Sequence, residues 1–252
     1  MSSFNNQAMY HIALTREQGA EYAILTGDPG RVESIALLLD SPEFVASKRE
    51  YTTWAGSIDG QRVLVTSHGI GGPSTAICVE ELALCGVKTM IRVGTCGGMS
   101  QAVCSGDLVI ANAAIRQEGT SLEYLPVAFP AVSDFEVTSA LVKSARDMGE
   151  RVHVGVVHCK DSFYGQHKPE ESPVSYQLQN RWQAWIRGGC LASEMESAAL
   201  YTVAASKGLK AGCILHVVWN HEREACEHTN TPMHDTTHAA VAAVGALRLL
   251  IK

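Results

Sequence analysis

With 252 residues, 46% of them hydrophobic, the chain can bury a sizeable core, and α/β folds of this length commonly form one domain. A net charge of −6 argues against a nucleic-acid-binding surface. Its apolar runs fall short of the ~20 residues needed to cross a bilayer, and the polar start MSSFNNQAMYH lacks the apolar segment of a secretion signal, so a cytoplasmic protein is expected.

Taken in chain order, the first apolar strand is YAILT (22 to 26), followed by GDPGR and a helical pattern over 31 to 39. KRE lies at 48 to 50, and the strand RVLVTS (62 to 67) runs into the glycine-rich SHGIGGPSTAICVEEL and a helix over 73 to 86. Strands at TMIRV (89 to 93), which opens into RVGTCGG, and DLVIAN (107 to 112) precede a helix over 133 to 149. HVGVV (153 to 157) leads to DSFYGQHK (161 to 168). The following stretch, 165 to 189, is the least regular, with two prolines and two tryptophans, and reads as a lid or a surface insertion. A helix over 194 to 207, the strand GCILHVV (212 to 218) and a helix over 234 to 250 complete the chain. Strands apolar on both faces and alternating with helices predict a single-domain, three-layer α/β/α sandwich around a mixed sheet. The eight cysteines form no CxxC pair and sit largely in these apolar patterns, as reduced thiols packed like small hydrophobes would.

The glycine-rich turn leaves backbone N–H groups unpaired where the helix opens at Pro73, which suits an anion, although such turns also serve to let a helix pack close to its sheet. Arg31, Arg49 and Arg92 offer forked donors for a phosphate; each taken singly is equally an ordinary surface or ion-paired arginine. Glu194 and Glu196 at a helix start fit simple complementation of the helix dipole. His234 and His238 stand four apart on the last predicted helix, near His228, but the glutamate of a zinc-hydrolase helix is missing and no metal is assigned there. Asp161 and Ser162 occur without a G-x-S-x-G elbow, which speaks against a hydrolase triad.

Ser67, Gly69, Ile70, Gly71, Pro73, Ser74, Ala76, Ile77, Glu81 and Leu82 together resemble the signature of the nucleoside phosphorylase family that holds the uridine phosphorylases and the hexameric purine enzymes. The likeness extends over nearly the whole chain and leans toward the uridine-specific members. It implies a partly barrel-like sheet, phosphate as co-substrate and no cofactor. By this resemblance phosphate is held by Gly27, Arg31, Arg92, Gly94 and Thr95, with Arg49 reaching a neighbouring subunit's site, so that a homo-oligomer built of dimers, a hexamer as trimer of dimers, follows. Glu194, Met195 and Glu196 would lie beneath the ribose, with a neighbour's His11 near its 5′-hydroxyl. Glu50, Ile70 and Ser74 match positions that hold a monovalent cation, potassium, between subunits in some relatives.

The base would stack on Phe163 and pair with the amide of Gln166, which offers both donor and acceptor to the uracil edge. Here the chain departs from its relatives: Lys168 replaces an arginine, the proline before Gly165 is absent, and His221 follows Asn220 where an arginine is usual, Arg223 lying two places on. Either His221 or Arg223 could stabilise the leaving base. Asn220 cannot replace the aspartic acid with which the purine enzymes protonate N7, which favours a pyrimidine. The expected catalytic set is therefore Arg92, Glu196 and His221 or Arg223. The alternatives are a purine or broad-specificity phosphorylase and a non-catalytic nucleoside-binding relative.

Overall fold

The structure, a computed structural model, describes residues 7–226 and 228–251. Its elements are β1 (Tyr22–Thr26), α1 (Val32–Ala36), β2 (Asp40–Lys48), β3 (Tyr51–Ile58), β4 (Gln61–Ser67), α2 (Gly72–Leu84), β5 (Thr89–Gly98), β6 (Leu108–Gln117), β7 (Ala131–Val132), α3 (Phe135–Asp147), β8 (Val152–Lys160), α4 (Phe163–His167), α5 (Ser175–Arg187), β9 (Ala192–Glu194), α6 (Ser197–Ser206), β10 (Lys210–Asn220), α7 (His221–Ala225) and α8 (Thr237–Leu250). One mixed sheet contains all the strands described, in the order β10, β6, β8, β9, β5, β1, β4, β3, β2, with β7 beside β6. A further pairing of β10 with β5 closes five of them into a ring, and β1, β4, β3 and β2 extend from it as an arm. The mixed, partly barrel-like sheet is as expected.

Two apolar layers flank the sheet. Alternation along β1 shows how they arise: Ala23 and Leu25 point into the layer under α2 and α6, while Ile24 points into the layer under α1, α3 and α8. Val79 and Leu82 of α2 and Leu200 and Val203 of α6 fill the first layer; Val137 and Leu141 of α3 and a small-residue face of α8 fill the second. Among the described residues no helix is long and apolar enough to cross a membrane.

Several boundaries differ from expectation. The hairpin β2 to β3 was not apparent because β2 is largely exposed and lacks a continuous apolar pattern. The stretch 165 to 189 is mainly helical, with the α5 sequence SYQLQNRWQAWIR too polar to signal a buried helix. The helix expected from 194 starts at Ser197, since Glu194 ends a strand and Glu196 precedes the first turn. The last helix starts at Thr237, so His234 lies outside it; His238 instead pairs with Glu150. The helix expected over 31 to 39 shortens to α1, preceded by a 3-10 turn.

Candidate active site

The C-terminal ends of β1, β4, β5 and β10, all parallel along their shared pairings, open on one side of the sheet, and a cavity of about 820 Å3 lies there. Ligands in open α/β sheets bind at such strand ends. Gly27, Arg31, Arg92 and Thr95 line it together with Glu194, Met195 and Glu196 and with Phe163, Gln166 and Lys160.

Arg92 is 3% exposed and faces two carboxylates: it hydrogen-bonds Glu196 Oε2 through Nη2, and its Nη1 lies 3.5 Å from Glu194 Oε2. Burial pulls its pKa down, but Glu196, Cys213 and Glu194 together push it above the ordinary arginine value, so the cation is held firmly. Glu194 spends its carboxylate on the start of α6, accepting from the N–H groups of Glu196 (2.9 Å) and Ser197 (3.0 Å). Glu196 Oε1 accepts from Gly71 N–H at 2.7 Å. The glycine-rich turn therefore does not offer this N–H to an external anion. A carboxylate of the chain already occupies it, and the positive φ of Gly71 (86°) is what turns the N–H inward.

Arg31 is pushed to a lower pKa by burial and then by the Arg92 charge, against Asp28 and Glu196. Two guanidinium groups in one cavity repel unless an anion sits between them. Among the described residues, the buried Nη1 of Arg31 and Nε of Arg92 have no hydrogen-bond partner. Gly94 has a different part from the one expected: an added Cβ would stand 2.1 Å from Arg92 Nη1, so glycine makes room for the guanidinium rather than for the ligand.

Phe163 lies over His167 with ring centroids 4.1 Å apart. Lys160, the last residue of β8, is buried and its Nζ donates to Ser193 Oγ at 2.9 Å. Ser193 Oγ in turn donates to Gln166 Oε1 at 2.6 Å. Behind this row lies a second cavity of about 590 Å3, which shares Lys160, Gln166 and His167 with the first and is walled by Trp182, Trp185 and His221. His221 Nε2 and His167 Nδ1 lie 2.9 Å apart. Burial, then the neighbouring His167 and Lys160, lower the His221 pKa to about 4, and burial and Lys160 bring His158 to about 4. These imidazoles are neutral above pH ~5.5.

The matching family model, described as the phosphorylase superfamily, spans residues 21–252. The chain belongs to the phosphorylase superfamily. It is similar to the uridine phosphorylase of Treponema pallidum, 48% identical over 248 residues that cover 98% of this chain and 96% of the relative. It is also similar to the uridine phosphorylase of Escherichia coli, 42% identical over 248 residues, 96% and 98% of the two chains. A guanosine phosphorylase of Halorubrum lacusprofundi is 40% identical over 210 residues, 83% of each chain.

Of the residues singled out in the sequence, this superfamily member brings Gly27, Arg31, Arg92, Thr95, Glu194, Met195, Glu196, Phe163 and Gln166 into one cavity, with Glu50, Ile70 and Ser74 on its rim. Ser74 Oγ donates to Glu50 Oε1 at 2.9 Å and also contacts the His68 carbonyl. Five residues stand elsewhere. Lys168 turns outward to Glu171 at 2.9 Å, because α4 ends at His167 and the chain leaves the cavity there. Arg223 donates to the carbonyls of Gln101 (2.8 Å) and Thr229 (3.2 Å), outside both cavities. His11 is held by Glu81 of α2, at 2.7 Å through Nδ1, and Arg49 sits exposed in the tight turn after β2 with φ 56°. His221 lines the second cavity rather than the first. Lys160 and Ser193 were missed; a charged residue closing an apolar strand, HVGVVHCK, was the available signal for the former.

Proposed function

We propose that the chain catalyses reversible phosphorolysis of uridine to uracil and ribose 1-phosphate, within pyrimidine nucleoside salvage. The observation that carries this reading is the gathering of two arginines, Arg31 and Arg92, in the same cavity as the Glu196 carboxylate and the Phe163–Gln166 surface. Two guanidinium groups brought close in one cavity favour an anion between them, and phosphate matches their forked donors.

Phosphate would sit between Arg31, Arg92, the Gly27 N–H and the Thr95 hydroxyl. Glu196 would accept from the ribose 2′ and 3′ hydroxyls over the thioether of Met195, and the base would lie against Phe163. A phosphate oxygen then bonds to C1′ as the C1′–N1 bond breaks, and the ring between them takes on oxocarbenium character. Positioning and fixed charge are the catalysis here. Phosphate arrives already nucleophilic, so no cofactor is called upon.

Arg49 and His11 lie outside their own chain's cavity, so their part in the reaction rests on a second copy delivering them. A dimer, and a hexamer of three dimers, is the assembly that fits, working in the cytoplasm. Glu50, Ile70 and Ser74 would hold a potassium ion at that contact: Glu50 is kept low in pKa by its backbone N–H and by Ser74, and hard oxygen donors suit such a cation.

The test is base release from uridine, thymidine, inosine and guanosine with and without phosphate. Phosphate-dependent uracil release is expected to lead the panel. Uracil release that is absent, or indifferent to phosphate, refutes the reading, and guanine release in its place selects a purine phosphorylase.

A further inference from the structure

The leaving base needs a cation or strong donor near its carbonyl oxygens, because the electron pair of the broken C1′–N1 bond spreads onto them. Of the residues expected near the base, Lys168 is paired with Glu171 at the surface, and Arg223, one of the two expected to stabilise the leaving group, is bound to two backbone carbonyls. His221 is neutral at working pH and lies behind Gln166. Among the described residues that line the cavity, Arg31 and Arg92 are the arginines assigned to phosphate, and the lysine is Lys160, joined to Gln166 through Ser193.

On the reading given above, we propose that Lys160 is the catalytic residue that stabilises the departing base, its ammonium donating to a carbonyl oxygen of the pyrimidine as the glycosidic bond breaks. One of its three N–H groups goes to Ser193, its side-chain hydrogen bond among the described residues, which leaves donors for a ligand. Ser193 in turn donates to Gln166 Oε1, which links Lys160 to the amide expected to meet the base. The Lys160 ammonium and the Gln166 amide then offer donors to keto oxygens, and Gln166 Oε1 keeps a second lone pair.

In the balanced step, hydrogen phosphate dianion forms the O–C1′ bond and the C1′–N1 pair departs on uracil, whose anion is held by Lys160. The proton that phosphate carried reaches uracil through solvent, giving neutral uracil and ribose 1-phosphate dianion. Lys160 ends the cycle as it began, protonated.

Lys160→Met removes the charge at nearly constant length, and the decisive readout is a ratio within one preparation, which does not depend on how much of it is folded. Fluorine at C5 makes the uracil anion a better leaving group, so 5-fluorouridine needs the cation less. The variant should lose about 100-fold in kcat on uridine. It should lose at least about fivefold less on 5-fluorouridine, with KM for phosphate within about threefold of the parent. Lys168→Met, on the surface, should leave both substrates untouched. Equal losses on the two nucleosides, or a kcat on uridine within about threefold of the parent, overturn the proposal. Lys160→Gln, which keeps a donor for Ser193, takes the same test if the methionine variant does not fold. Absence of phosphate-dependent uracil release in the unmodified enzyme instead defeats the parent reading, and the two failures are separable.

Discussion

Glu196→Gln separates the two tasks that meet at the Arg92 pair. The amide keeps an oxygen for the Gly71 N–H but removes the charge facing a guanidinium that is 3% exposed. Taking one partner from a buried pair costs about 3–5 kcal/mol, and Glu194, 3.5 Å from Arg92, remains to compensate, so the lower end, about 3 kcal/mol, applies. For a chain of this size that lowers the thermal midpoint by roughly 6–12 °C. Kinetically the effects should diverge. KM for uridine should rise at least about tenfold as the ribose loses a carboxylate acceptor, while KM for phosphate stays level or falls, because Arg92 is less neutralised. Thermal unfolding at fixed protein concentration, since subunit association shifts the midpoint, and initial rates varied in each substrate supply both numbers. A midpoint within about 2 °C of the parent, or the two KM values rising together, would refute the reasoning.

Arg31→Ala should raise KM for phosphate about 10- to 100-fold and leave KM for uridine within about threefold, as loss of charge-assisted bonds to one substrate requires; steady-state kinetics decide. Gly94→Ala drives Cβ to 2.1 Å from Arg92 Nη1, so the guanidinium must move; activity should fall more than about 100-fold, with destabilisation of about 1–3 kcal/mol by denaturant titration. For pH, burial lowers His158 and His221 to about 4, below the ordinary value of ~6.5. Between those values the unfolded chain binds more protons than the folded one, so stability rises with pH through the window and is lost as pH falls from 6.5 toward 4. Midpoints measured at pH 7 and 5 should show that fall, and His221→Gln should reduce it.

The buried half of the fold was legible because strands covered on both faces read as continuous apolar runs, and α2 at 72–84 nearly coincides with the pattern at 73 to 86. What escaped notice lacked a continuous apolar run: exposed β2, its partner β3 with alternating cover, three-residue β9, and α5, whose tryptophans dock through single hydrogen bonds to Glu222 and Gln117. At the site, the arginines and the Glu-Met-Glu run stood out through the family resemblance, since each charge taken singly reads equally as an ordinary ion-paired or helix-start residue. Lys160 did not, since a lone lysine closing a strand looks like an ordinary solvated end until β9 is seen to cover it. The partner of the Gly71 N–H was out of reach for a related reason: it is an anion 125 residues away in sequence, a pairing that local pattern cannot contain.

The three residues of β9 join β5 on one side to β8 on the other, and the same three include Ser193 and Glu194. This short ring strand is thus also the segment that joins the Lys160–Gln166 row, through Ser193, to the Arg92 pair, through Glu194. A chain with every other strand paired but β9 undocked would hold most of its secondary structure and no assembled site. Catalytic activity in this enzyme is therefore a direct gauge of ring closure, and a spectroscopic signal from helices or strands is not.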